Sequence, residues 1–202
     1  APIQGPYGVN EEGDGDMYPK GSLMLNTMRT IVNNDALWWS TIKGISDTAF
    51  KLRNTDANEI IAYMNKRTGK NLEPILRQYI QHAAIPKVVY SLTKVKAKQY
   101  KFSFEWINDV QDEFLQMPVI VEFDGKQERV ELPPVKNGDY FKKVSKYFKI
   151  SDLSTFKINQ ELEYIDVVEV AAFKEKKEMK KKAKKEKKEK KEDKMEKKEE
   201  KK

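Results

Sequence analysis

Apolar residues change their spacing once along this chain, near Pro86, and that change limits the possible folds more than any other feature. Before Pro86 they recur every three or four residues: Met24, Leu25, Met28, Ile31 and Val32; Trp38, Ile42 and Ile45; Ile60, Ile61, Tyr63 and Met64; Ile75, Leu76, Tyr79 and Ile80. This period lays an apolar stripe along one side of a helix, and four helices are predicted. Asn33-Asn34 ends the first and the second starts around Asp35. Thr55 serves as N-cap of the third, with Asp56 and Glu59 in its first turn and Gly69 at its left-handed end. Asn71 caps a short fourth helix with Pro74 in its first turn. Beyond Pro86 the period falls to two. Tyr100, Phe102, Phe104 and Trp106 alternate with Lys101, Ser103 and Glu105, as a half-buried antiparallel strand requires. Val119, Val121 and Phe123 repeat the alternation. Asp124-Gly125 then supplies a tight hairpin turn, with Val130 and Leu132 on the return strand. Leu162, Tyr164, Val168 and Val170 fall near a last strand. Helices first and strands second predict an α+β chain of two segments meeting near residue 86.

Charge divides the chain a second time. Of its 202 residues 35% are charged, yet the segment from Lys174 to Lys202 holds 17 Lys and 9 acids in 29 positions. That leaves 22 of the 39 basic and 23 of the 32 acidic residues in 1–173, a body near −1 beside a tail near +8. The pI of about 9.2 therefore belongs to the tail and does not imply a basic globular surface for nucleic acid. Glu178–Lys182 and Glu186–Lys190 are favourable pairs if helical, but no apolar stripe accompanies them, so a solvated, partly helical or disordered extension is predicted.

Candidate chemistry is sparse. The chain contains no Cys, which excludes disulfides, Cys-ligated zinc and a thiol nucleophile within it. No apolar run approaches the roughly 18–20 residues that span a bilayer. The opening Ala1-Pro2-Ile3 has neither initiator Met nor signal-peptide pattern and reads as an interior cut. His82, the one histidine, stands at a helix end without evident partners for a metal. Glu11, Glu12, Asp14 and Asp16 form an acidic cluster in a Gly-rich loop, but their spacing is not that of a regular Ca²⁺ loop. A solvated acidic loop is the simpler reading. Trp38, Trp39 and the aromatic alternation at 100–106 read as core.

One stretch resembles a known family. Tyr18-Pro19-Lys20-Gly21-Ser22 is similar to the Tyr-x-Lys-Gly-(Ala/Ser) segment of gluzincin zinc aminopeptidases, the aminopeptidase N and leukotriene hydrolase group. Thr55 to Met64, the Thr68-Gly69-Lys70-Asn71 turn, and Leu72-Glu73-Pro74-Ile75-Leu76-Arg77-Gln78-Tyr79-Ile80 resemble that family's next helices in order and spacing. The strands from Tyr100 to Leu132 resemble its β-sandwich. The likeness covers roughly residues 1–170 and is most specific over 15–86.

The resemblance implies the helical end of a thermolysin-like catalytic domain (1–86), an antiparallel β-sandwich (87–172) and a Lys/Glu-rich tail (173–202). It places Tyr18 where the family's Tyr donates a hydrogen bond to the tetrahedral oxyanion; read from the residue alone, Tyr18 is more simply a side chain packed at a helix start. In the intact family zinc polarises the scissile carbonyl and its water, and the Glu of H-E-x-x-H takes the proton. That motif, and the Gly-rich motif holding the substrate's amino terminus, precede the Tyr in family order and do not occur here. The expectation is a C-terminal portion of a zinc metalloaminopeptidase, a hydrolase of N-terminal residues of peptides. It lacks recognisable zinc ligands, is severed from its N-terminal catalytic half, and is inactive as this chain. Family members are periplasmic, secreted or cytoplasmic, so the likeness assigns no compartment. The other expectation is a non-catalytic β-sandwich whose lysines from Lys174 to Lys202 bind nucleic acid or another anionic surface; nine interspersed acids and the lack of Arg or aromatics there weigh against it.

Overall fold

A computed structural model describes residues 1–5, 8, 15–108, 117–133 and 144–170. The chain divides into two compact units, 1–167 and 168–202, and nearly all described residues belong to the first. Most of the acidic cluster (Glu11, Glu12 and Asp14) and the lysine-rich tail lie outside the described residues.

Helix α1 (Met17–Val32) holds Pro19 in its first turn, where the missing N–H breaks no intrahelical bond. Asn33 ends it at φ 53°, its N–H donating to the Arg29 carbonyl at 3.0 Å. The Asn34 side chain caps α2 (Asp35–Gly44) by accepting from the Leu37 N–H at 3.0 Å, and a π-helical turn, Ile45–Ala49, extends it. Helix α3 (Ala57–Thr68) is capped by Asp56 rather than Thr55: Asp56 accepts from the Glu59 N–H at 2.9 Å, while the Thr55 hydroxyl donates to the Glu59 carboxylate at 2.8 Å. Gly69 closes it at φ 67°. Helix α4 (Glu73–Gln81) has no side-chain cap, and Asn71 is exposed; the preceding Leu72 N–H is held instead by Asn65 Oδ1 at 2.8 Å. The buried faces of these helices (Met28, Ile31, Trp38, Ile61, Met64, Ile75 and Tyr79 among them) join one core. Trp39 departs from expectation. It is 55% exposed and lies under the Arg29 guanidinium, 5.6 Å from its ring centre, because neighbours one apart on a helix point about 100° apart and Trp38 takes the inner position.

The strands are β1 (Lys87–Lys96), β2 (Gln99–Ile107), β3 (Val119–Phe123), β4 (Lys126–Val130), β5 (Val144–Lys149), β6 (Lys157–Ile158) and β7 (Asp166–Glu169). One sheet has the order β5-β2-β1-β7 and the other β4-β3-β6. Pairs β1–β2, β2–β5, β3–β4 and β3–β6 are antiparallel. β7 joins through its first residue, the Asp166 N–H donating to the Pro86 carbonyl at 2.9 Å. The alternation along β2 holds only in part: Phe102 and Phe104 are buried and Lys101 and Glu105 half-buried, but Ser103 is buried too, its hydroxyl bonded to that of Ser145 at 2.7 Å, and Tyr100 and Trp106 are only half-buried. Asp124 (φ 49°) and Gly125 (φ 70°) form the hairpin between β3 and β4 as their left-handed preference predicts. Leu132 lies beyond β4, and Leu162 and Tyr164 precede β7 in a loop, so apolar spacing there marked burial rather than strand. β1 and β5 went unanticipated: β1 shares its register with β2 but begins with two adjacent buried valines, which blurs a period of two. Rings from both sheets meet, Phe123 of β3 lying 5.0 Å from Phe148 of β5, centre to centre.

The architecture is α+β. Among the described residues no helix is long and apolar enough to cross a membrane.

Candidate functional site

Tyr18 and Lys20, two residues apart in the first turn of α1, face opposite environments. The Tyr18 side chain is 74% exposed, so its phenol O–H can reach a partner from solvent. Lys20 is 1% exposed, and its ammonium donates to three backbone carbonyls: Ala1 at 2.8 Å, His82 at 2.7 Å and Ala83 at 3.3 Å. Three donors meet three acceptors, which is the condition under which a buried ammonium is tolerated. Burial lowers the Lys20 pKa from its ordinary value, and the Asp16 carboxylate opposes that shift. Gln78 adds a parallel tie, its side-chain amide donating to the Ala84 carbonyl at 2.7 Å. The start of α1 is thereby fastened to the chain leaving α4, and Tyr18 stands on a fixed turn.

His82 contributes its backbone to this anchor. It is the residue ending α4, and its carbonyl, not its imidazole, is the group engaged. Among the described residues no group of three or more His, Asp or Glu side chains could hold a metal ion. Asp16 is exposed beside α1 and the rest of the acidic cluster falls outside the described residues.

A second polar assembly lies further along α1 and was not anticipated. Thr27 donates to the Leu23 carbonyl at 2.9 Å and accepts from the Tyr164 N–H at 2.9 Å. The Tyr79 hydroxyl donates to the Tyr164 carbonyl at 2.5 Å, and burial pushes its phenol pKa up. Thr30 donates to the Leu162 carbonyl at 2.9 Å. Arg129 of β4 reaches across to the last turn of α1, donating to the carbonyls of Thr30 at 2.6 Å and Ile31 at 3.2 Å while its Nε meets Glu131. Helix carbonyls in the last turn lack intrahelical partners and carry the negative end of the helix dipole, so the guanidinium completes both their bonding and their charge. A cleft of about 540 Å³ opens beside this joint, lined by Asn26, Thr30, Ile120, Gln127, Arg129 and Leu162. It stands roughly 18 Å along α1 from Tyr18, at about 1.5 Å per residue, so the two are separate features.

Within the joint, Glu163 is fully buried and its carboxyl oxygens make no well-formed hydrogen bond among the described residues, the Ile120 backbone interacting with them only weakly. Burial raises its pKa to about 8; the Arg129 charge and then the Ile120 backbone oppose the shift, and Glu131 adds to it. No local pattern in Glu161-Leu162-Glu163-Tyr164 distinguishes this glutamate from an exposed one. Arg129 is equally silent in sequence, since it sits on a strand and serves a helix about 100 residues away.

No protein-family model matches the chain. No curated protein is significantly similar to it.

Proposed function

We propose that the chain is a C-terminal portion of a zinc metalloaminopeptidase of the gluzincin type. In this reading its two antiparallel sheets form the family's β-sandwich, and Tyr18 is the donor that would meet a tetrahedral oxyanion. The observation that carries the reading is the pairing of an exposed Tyr18 with a buried, fully bonded Lys20 in one helical turn. A donor stabilises developing negative charge best when its backbone cannot move and its O–H is free to point outward. The supporting sequence agreement is the Tyr-x-Lys-Gly stretch and the two helices behind it in register. The sequence contains no H-E-x-x-H and the described residues hold no metal ligand set, so Tyr18 is the member of the family's machinery assigned to it. Its role is that of a hydrogen-bond donor to the substrate oxygen, without proton transfer.

Two assays test this. The purified chain, given zinc and fluorogenic aminoacyl substrates, is expected to show no turnover that a chelator abolishes; chelator-sensitive turnover would overturn the assignment. Adding a polypeptide that carries the family's H-E-x-x-H half is expected to restore turnover, and Tyr18→Phe should lower the restored rate by about 10²–10³-fold. Equal rates with Tyr and Phe would remove Tyr18 from the chemistry.

The contrast between a body near −1 and a tail near +8 favours a second, independent reading, in which the lysine run binds polyanions. Co-sedimentation with DNA or acidic vesicles should then be strong at low salt and lost at high salt. Intact and tail-deleted chains that bind alike would exclude it.

A further inference from the structure

The buried glutamate at the joint between α1 and β4 is the feature that the proposed function leaves unused. A carboxylate there would carry a full charge in a place closed to water, with no well-formed hydrogen bond from a described group and only a weak interaction with the Ile120 backbone. That situation is costly enough that a carboxyl keeps its proton instead. The titratable and charged groups that act electrostatically on Glu163 are Tyr79 of α4, Arg129 of β4 and Glu131 just beyond β4. Tyr79 is occupied by the Tyr164 carbonyl and Glu131 by Arg129 Nε. Arg129 is the one cation among these, and its two remaining nitrogens are committed to the carbonyls of Thr30 and Ile31. A neutral Glu163 leaves that clasp undisturbed. An ionised Glu163 competes for it, because a carboxylate attracts a guanidinium more strongly than two carbonyls do.

We propose that Glu163 is a proton-operated lock on the C-terminal turn of α1. Protonated, it leaves Arg129 fastened to Thr30 and Ile31. On losing its proton to solvent it draws the guanidinium away and frees the turn. The only covalent bond involved is the acid O–H. This inference does not depend on the aminopeptidase reading and can stand if that reading fails.

The sign follows from the direction of the shift. In the unfolded chain the carboxyl ionises near its ordinary 4.5, in the folded chain near 8, so between these values the folded state holds the extra proton. Stability from this group is complete below about pH 4.5, declines as pH rises, and is gone above about pH 8. In the full chain the folding equilibrium constant should fall by up to about tenfold per pH unit across that window, relative to Glu163→Gln, which cannot ionise. Hydrogen exchange over residues 30–33, compared at equal pH, should lose protection with rising pH in the native chain and not in the Gln variant. Matching pH courses in the two chains would overturn the lock. Should Glu163→Gln fail to fold, infrared spectroscopy of the native chain decides. A protonated-carboxyl band present at pH 6 and lost by pH 10 supports the proposal, and its absence at pH 6 overturns it.

Discussion

A β-carbon placed on Gly44 would stand 2.1 Å from the Tyr63 hydroxyl and 3.3 Å from the ring carbon that bears it. Gly44 is therefore required by the close approach of α3, not by backbone angles, since its φ of −65° suits any residue. Gly44→Ala should destabilise the chain by about 1–3 kcal/mol through overpacking, read from urea unfolding. Adding Tyr63→Phe removes the colliding oxygen and should return a measurable part of that loss; strict additivity of the two changes would contradict the contact. At the cap of α3, Asp56→Ala should cost about 1 kcal/mol and Thr55→Ala less, since Asp56 holds the backbone N–H. Asp124 is a pH probe of the hairpin. Its oxygens accept from the N–H groups of Ser151 and Asp152 at 2.7 and 2.9 Å, and these bonds lower its pKa below the ordinary 3.8. Its contribution is thus present above pH 3.8 and lost as pH falls through the lower folded value, so Asp124→Asn should flatten the acid limb of the stability profile.

One element, α1, is held at both ends by cations. Lys20 fastens the start of α1 to the carbonyls after α4, and Arg129 fastens its end to β4. Replacing either by Met keeps much of the packing but strands buried acceptors, at about 1–3 kcal/mol each. The two losses should differ in place. Lys20→Met is expected to raise hydrogen exchange in the first turn of α1 and around 82–84, and Arg129→Met in its last turn. Uniform loosening of α1 in both variants would show that the helix opens as one unit and that the end contacts are not local clamps. The hairpin β3–β4 has a similar external tie, as the Asp124 N–H donates to Thr155 Oγ at 2.9 Å.

Across the whole molecule, local pattern and long-range contact account for different features. The α1–α4 stripes, the presence of strands at β2 and β3, the Asp124-Gly125 turn and the left-handed Gly69 could be read directly, because each depends on residues within a few positions of one another. Period and turn chemistry are local quantities. The caps of α3 and α4 were read one residue or one partner wrongly, since Thr55 and Asp56 are both good caps and Asn71 is displaced by Asn65 from the preceding helix. Tyr18 was legible through its motif, whereas the burial of Lys20 was not, because two of its three acceptors lie 62 and 63 residues away in sequence. Of the joint, Tyr79 and Tyr164 were visible only as apolar positions, and the polar roles of Thr27, Arg129 and Glu163 had no sequence signal. A glutamate becomes a buried neutral acid, and an arginine a helix cap, only when remote segments exclude water around them, and the free energy of a charged group depends on that exclusion far more than on its neighbours in the chain.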